Sequence, residues 1–290
     1  MKLWEIEKEL SSFGAENPRD ESLIIAESLF DVKPAVLILN KDRDFSSPEL
    51  DELLEKRKER IPLQYILGKW EFMGKEFFVS PQCLIPRPDT EILVEKAIEI
   101  IKKRGGVDDF APKSTNNAGY EVADLCTGSG CIGLSLMMYS NVGSMTLMDI
   151  SKGALDMARK NAQHHNLSKD CQFILGDIRT HMPRKKFDLI VSNPPYIPKG
   201  DISCLSEEVK KEPMLALDGG EDGLDIIKFL IGDGLSYLKE NGAMLIEFGY
   251  DQGQIMDTLL REKCDTGSIK SYEILYDYGN NPRVAVIYVK

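Results

Sequence analysis

The stretch Val122-Ala123-Asp124-Leu125-Cys126-Thr127-Gly128-Ser129-Gly130, followed by the apolar run Ile132 to Met138, decides the fold. Its first four residues read as a buried strand, its glycines as a tight turn and the run behind them as a helix. Glycines at such a turn let the backbone come close to a ligand, and the helix N-terminus favours electron-rich groups. Gly128, Gly130 and Gly133 also keep the spacing of a dinucleotide fingerprint. The next apolar strand, Met145 to Met148, ends at Asp149, twenty-one positions beyond Gly128. An acid there can bind the two hydroxyls of a ribose, as it does in nicotinamide-dependent enzymes and in enzymes using S-adenosylmethionine. The plainer reading of Asp149 is a cap for the helix starting near Ser151.

Working outward, strands fall near residues 121, 145, 172, 187, 243, 272 and 284, with helices near 132, 153, 222 and 253. Strand alternating with helix predicts a mostly parallel, doubly wound α/β sheet of seven strands. Tyr272 to Tyr276 and Arg283 to Val289 are separated only by a short turn around Gly279-Asn280, which makes them an antiparallel pair at the end. In such sheets ligands gather beyond the carboxyl ends of the strands.

One of those ends carries a second device. The strand Phe187 to Val191 runs through Ser192 into Asn193-Pro194-Pro195-Tyr196. Two prolines after a strand can simply stop it, because proline cannot donate to a ladder. The same cluster also suits a planar group bearing an NH2. The Asn193 side-chain oxygen and the Pro194 carbonyl can each accept one of its hydrogens, and Tyr196 can stack on its plane. Either a carboxamide or a base amine answers that description.

The chain ahead of the sheet divides in two. Residues 1–68 form a small helical domain, with start signals at Asn17-Pro18 and Ser47-Pro48-Glu49. Residues 69–85 form a β-hairpin linker, Trp70 to Met73 and Phe77 to Val79 turning around Gly74. From residue 86 to 290 follows the domain that holds the sheet, the glycine turn and the Asn193 bend, in which Pro88 opens a helix carrying Ile92, Leu93, Ala97 and Ile100 on one face. The Gly, Lys, Asp and Asn-rich stretch from Lys102 to Gly119 reads as a mobile surface loop.

Composition narrows the partner. The 290 residues, 42% hydrophobic, suffice for a sizeable core and two domains. Apolar runs such as Val36 to Leu39 are too short to span a membrane, and Met1 to Leu10 mixes charged with apolar residues, so the expected location is cytoplasmic. Cys83, Cys126, Cys131, Cys171, Cys204 and Cys264 include no Cys-x-x-Cys pair, and of the three histidines only His164 and His165 are adjacent, so no metal is expected. His181 reads as a surface loop residue. The net charge of −11 opposes a nucleic-acid substrate, and the first 75 residues, with 12 Lys plus Arg against 16 Asp plus Glu, are no more basic than the rest.

Taken together, these segments resemble the class I methyltransferases acting on amino groups, and most closely the release factor glutamine methyltransferases. The matching stretches are Pro62 to Gly68, Glu71-Phe72-Met73-Gly74, Leu84-Ile85-Pro86-Arg87-Pro88-Asp89-Thr90-Glu91, Asp124 to Gly130, Asn193 to Tyr196, Glu212-Pro213 with Ala216-Leu217, and Asp218 to Gly223. The Asn-Pro-Pro-Tyr run is shared with adenine methyltransferases; the Ile-Pro-Arg-Pro segment narrows the choice.

The resemblance implies a Rossmann-like fold and S-adenosyl-L-methionine as cofactor, held by Cys126, Thr127, Gly128, Ser129, Gly130, Asp149, Asp177, Ile178 and Asn193. It implies Asn193, Pro194 and Tyr196 as the catalytic group, and Asn193, Pro194, Pro195 and Tyr196 as the cradle of a substrate glutamine. That glutamine belongs to the Gly-Gly-Gln loop of peptide chain release factors, the implied partner, with the N-terminal helices as recognition element. Cys126 departs from the glycine that many relatives carry there. Arg87 and Glu247 stand near the expected site but are kept out of the catalytic set, as an ion-pair partner and a strand-end cap. Adenine methylation, methylation of another protein's glutamine, a nicotinamide-dependent dehydrogenase and a non-enzymatic binding module remain alternatives, separable by which cofactor raises the melting temperature and which substrate accepts label.

Overall fold

The computed structural model describes residues 1–39, 43–105 and 119–290. Its contacts divide the chain into two units, Met1–Lys69 with Ser206–Lys211, and Trp70–Leu205 with Glu212–Lys290.

The first unit is built from helices α1 (Leu3–Ser12), α2 (Pro18–Phe30), α3 (Pro34–Leu39), α4 (Pro48–Lys58) and α5 (Leu63–Leu67). Proline opens α2 and α4, where its missing N–H costs nothing, and the Ser47 side chain accepts from Leu50 N at the start of α4. Ile6, Leu10, Ile25, Leu37, Phe45, Leu50 and Leu53 close into one core. Against that core lies a buried cation, Arg57, only 2% exposed. Its guanidinium donates twice to Glu21 (2.9 Å each), once to the Ile61 carbonyl (2.7 Å) and once to Glu208 (3.0 Å), and Glu208 also pairs with Arg60. A fork matched this fully is what makes a buried arginine tolerable. Glu208 comes from the six-residue piece that the chain returns to this unit from far downstream.

The second unit opens with a hairpin, β1 (Lys69–Phe72) and β2 (Lys75–Phe78), and continues with α6 (Thr90–Gly105). The helix therefore runs through Lys102 and Lys103, which the sequence reading assigned to a loop. Lys103 pairs with Glu99 one turn back, so the polar end is an exposed helical face. The remainder of that loop, residues 106–118, lies outside the described residues. Then follow β3 (Tyr120–Leu125), α7 (Cys131–Tyr139), β4 (Val142–Asp149), α8 (Lys152–His164), β5 (Cys171–Leu175), β6 (Phe187–Ser192), α9 (Asp225–Leu230), β7 (Leu238–Glu247), α10 (Gly253–Asp265), β8 (Ser271–Tyr276) and β9 (Pro282–Tyr288).

The seven strands lie in the order β5-β4-β3-β6-β7-β9-β8. Neighbours from β5 to β7 pair parallel, while β9 runs antiparallel between β7 and β8. Successive residues of the inner strands alternate between two buried faces: Val122, Leu189, Leu245 and Val284 join one core with α6 and α7, and Ala123, Ile190, Met244 and Ala285 join another with α9 and α10. Burial on both faces explains why these strands read as near-continuous apolar runs. The chain leaves β3 toward β4 on one side and resumes with β6 on the other, so the switch point where ligands collect lies between β3 and β6.

Candidate active site

Register brings the predicted residues into one row. Leu125 pairs with both Met148 and Ser192, and Ser192 with Ile246. The next residues along, Cys126, Asp149, Asn193 and Glu247, therefore stand at the same level across four neighbouring parallel strands. The Ser192 hydroxyl donates to the Leu125 carbonyl (2.7 Å) and locks the level of β6 to that of β3.

Asp124 organises the glycine turn from beneath. It is fully buried and accepts from the Thr127 hydroxyl (2.6 Å) and from Gly133 N (3.0 Å). Burial pushes its carboxyl up to about 7, against the pull of those two donors. Above it, Gly128 has φ +56, and a side chain there would meet nothing within 4 Å, so the backbone is bare toward open space. Cys126 also adopts the left-handed region, at φ +61, a conformation that favours glycine. Its thiol, and that of Cys131, are raised by burial, so both are packing groups.

Asp149 is not the cap of α8. Ser151 is, its hydroxyl accepting from Ala154 N (3.2 Å). The Asp149 carboxylate instead gathers Gly128 N (2.9 Å) and Ser151 N (2.8 Å), one on each oxygen. Burial raises its pKa and the backbone donors oppose the rise. Each oxygen retains acceptor capacity for a ligand hydroxyl.

These groups line a cavity of about 440 Å³, within the usual range for a small-molecule site. Its lining includes residues 126–129, Asp149, Ile150 and Ser151, the group Asp177, Ile178 and Arg179, Asn193 and Pro195, and the segment 82–87 with Thr90. Ile150 presents a large apolar side chain, 52% exposed, that the sequence reading passed over. Arg179 lies against Asp177 (2.6 Å) and holds its carboxyl below the usual range. Ile178 is buried at 4%. Gly130 is outside the lining; it closes the turn by donating to the Thr127 carbonyl (2.9 Å) and precedes α7.

The Asn193 to Tyr196 bend is divided. Asn193 and Pro195 reach the cavity, whereas Pro194 is buried and Tyr196 half-buried outside the lining. Asn193 Nδ2 donates to the Thr90 hydroxyl (3.3 Å), and among the described residues neither Asn193 Oδ1 nor the Pro194 carbonyl accepts a hydrogen bond. Gln252 Nε2 donates to the Tyr196 carbonyl (2.9 Å), and Ile197 bridges to Asp218. A side chain at Gly219 would come within 2.8 Å of the Pro195 carbonyl, and one at Gly223 would collide with that of Tyr196. The Asp218 to Gly223 stretch thus backs the bend, and the helix read near 222 begins only at Asp225.

Glu247, left out of the catalytic set, is 1% exposed at the end of β7. Its Oε1 accepts from the Tyr196 hydroxyl (3.5 Å), and Oε2 has no partner of ordinary geometry. Burial pushes its pKa up to about 7, while Thr90, Arg283 and Asn193 favour the charged form. Arg87 is tied up with Glu212, whose second oxygen accepts from Ile85 N (3.0 Å). His181 is exposed and bonded to Thr180. Among the described residues no cluster of three or more metal-ligating side chains occurs, and no helix is long and apolar enough to cross a membrane.

Solved structures share this architecture at low identity. A methyltransferase from Pyrococcus furiosus matches with a TM-score of 0.51 at 16% identity, over 81% of this chain and 98% of that one. The human methyltransferase 10 domain containing protein matches with 0.51 at 18%, over 73% and 88%. Residues 110–210 fit the family model described as Methyltransferase small domain, so fold and sequence together define a class I methyltransferase. Residues 3–68 fit the PrmC N-terminal domain. The release factor glutamine methyltransferases of Aquifex aeolicus (33% identity, 96% of this chain and 93% of that one) and Bacillus cereus (32%, 98% of each) align nearly end to end. The chain belongs to the release factor glutamine methyltransferase family.

Proposed function

We propose that this protein transfers a methyl group from S-adenosylmethionine to the side-chain amide nitrogen of the glutamine in the Gly-Gly-Gln loop of peptide chain release factors. The observation that carries the reading is Asn193, whose amide nitrogen is committed to Thr90 while its oxygen is unengaged at the wall of the cavity.

The cavity fits the cofactor on its own chemistry. Gly128 leaves open space where a side chain would stand, Asp149 offers two carboxylate oxygens with spare lone pairs for ribose hydroxyls, and Ile150 and Ile178 offer apolar surface to a purine, with Asp177 beside them as an acceptor for its amine. When bound, S-adenosylmethionine supplies an electrophilic methyl group. The chain must supply placement, because a carboxamide nitrogen is a poor nucleophile. Asn193 Oδ1 and the Pro194 carbonyl accept the two N–H bonds of the glutamine, orient its nitrogen and draw developing positive charge toward themselves. Tyr196 packs beside the carboxamide. Transfer to the neutral amide nitrogen gives an N-methylated amide cation, which is acidic enough to lose its proton to solvent, so no histidine is needed, in keeping with the exposed position of His181.

The release factor as partner is supported by family membership and by the acidic charge, which opposes a nucleic-acid substrate. The N-terminal helical unit serves as its recognition element, and the cytoplasm is where the two would meet. The test is incubation with labelled S-adenosylmethionine and either a release factor or its loop Gln→Ala variant. Label on the intact factor alone is expected; label on both, or only on nucleic acid, refutes the assignment. Asn193→Ala should keep cofactor affinity while lowering turnover about a hundredfold or more.

A further inference from the structure

A planar amide such as that of Asn193 has the same shape in either of its two orientations, and packing alone does not choose between them. The choice matters, because only the orientation with Oδ1 toward the cavity can accept from a substrate N–H. Thr90, the direct partner of Nδ2 at 3.3 Å, does not decide it either, since a hydroxyl both donates and accepts. The decision has to come from a group that can only accept. Such a group stands next in line: the Glu247 carboxylate, 1% exposed, with Tyr196 donating to Oε1 and the side chains of Thr90 and Asn193 against it.

We propose that Glu247 and Thr90 are positioning residues that set the polarity of the Asn193 amide. This rests on the methyl-transfer reading above. The charged carboxylate accepts a hydrogen bond from the Thr90 hydroxyl, which leaves the Thr90 oxygen free to act as an acceptor. That acceptor fixes Nδ2, and Oδ1 is turned to the substrate. The Glu247 Oε2 that has no partner of ordinary geometry is the atom available to accept that hydrogen bond. Protonation of Glu247 reverses the chain: a carboxylic acid donates, Thr90 no longer has to accept from Asn193, and the amide is free to turn.

The groups facing Glu247 decide when that happens. Burial disfavours its charge, as does Asp89 ahead of α6, while Arg283 at the start of β9 favours it together with Thr90 and Asn193. Arg283 is itself shared with Asp277 (3.0 Å) and Asp89 (3.3 Å), so its support is diluted. Tyr196, whose phenol is raised by burial and by Glu247, stays neutral and keeps donating. The balance leaves the carboxyl at about 7, and turnover should fall as the pH drops through that value.

The experiment measures kcat and KM for a release factor against pH, and cofactor affinity by calorimetry, in wild type, Glu247→Gln, Thr90→Val and Thr90→Ser. Glu247→Gln should lower kcat roughly 100-fold with cofactor affinity held within about threefold, and its profile should lack the limb near neutrality. Thr90→Val should resemble it, Thr90→Ser should recover the turnover that Thr90→Val loses, and the Glu247→Gln/Thr90→Val double variant should be no worse than either single, because both act through Asn193. A Glu247→Gln enzyme with the kcat and pH profile of wild type overturns the assignment while the methyl-transfer reading stands. Wild type that modifies no release factor at any pH overturns both.

Discussion

Replacing Asp149 by Asn removes one charge and one acceptor while keeping the shape of the side chain. In the wild-type protein each carboxylate oxygen takes one backbone N–H, from Gly128 at 2.9 Å and Ser151 at 2.8 Å, and has lone pairs left for the ribose. The Asn variant can satisfy only one of those backbone donors through its oxygen, and its NH2 confronts the other. The NH2 that replaces one oxygen cannot accept from a ribose hydroxyl, which removes a charge-assisted hydrogen bond worth about 1.5–3 kcal/mol, and exchanging a charged for a neutral acceptor at the remaining oxygen loses about 1 kcal/mol more. Cofactor binding should weaken by about 2–4 kcal/mol, or roughly 30- to 1,000-fold in Kd. Isothermal titration with S-adenosylmethionine measures it directly, beside circular dichroism on the free protein. The backbone donor left unpaired is a cost to the free fold, about 1–3 kcal/mol, offset in part because burial already works against the charge of Asp149. A Kd within threefold of wild type in a folded variant would refute the role assigned to this residue.

Asp124→Ala leaves the Thr127 hydroxyl and Gly133 N without their acceptor and should destabilise the fold by about 2–4 kcal/mol in urea unfolding. Arg57→Ala strands the carboxylate of Glu21 and leaves Glu208 to Arg60 alone, and a loss of about 3–5 kcal/mol is expected, read as an earlier thermal transition. Glu247 binds its proton more tightly folded, at about 7, than unfolded, at 4.5, so the stability tied to its protonation is complete below pH 4.5 and lost as the pH rises through 7. Between pH 4 and pH 8 wild type should therefore lose up to about 3 kcal/mol more than Glu247→Gln, checked by denaturant midpoints at the two pH values.

The sheet was legible because burial on both faces writes each inner strand as an apolar run, and the glycine turn because the left-handed backbone at Gly128, φ +56, favours glycine. Asp149 was legible as an acid at a strand end, but its reading as the cap of α8 could be set aside only once Ser151 was seen to hold that place. Cys126 hid a left-handed backbone behind a residue that does not advertise it. The roles of Glu247 and Thr90 escaped because Glu247 reaches Asn193 only through the register of β6 beside β7, more than 50 residues on, and Thr90 reaches it from the start of α6, more than 100 residues back. The end of α6 was misplaced because lysines on a solvated helical face and lysines in a loop look alike. Nothing local distinguishes 206–211 from its neighbours, so its membership of the first unit was invisible.

That membership constrains how the protein can be dissected. Cutting after residue 69 does not release an intact helical module: Arg57 and Arg60 would lose the carboxylate of Glu208, and residues 70–290 would carry a hexapeptide whose natural packing partners had been removed. The polypeptide visits its N-terminal unit twice, and the two visits are fastened by charge, so a faithful minimal version of that unit would need residues 206–211 spliced back onto it.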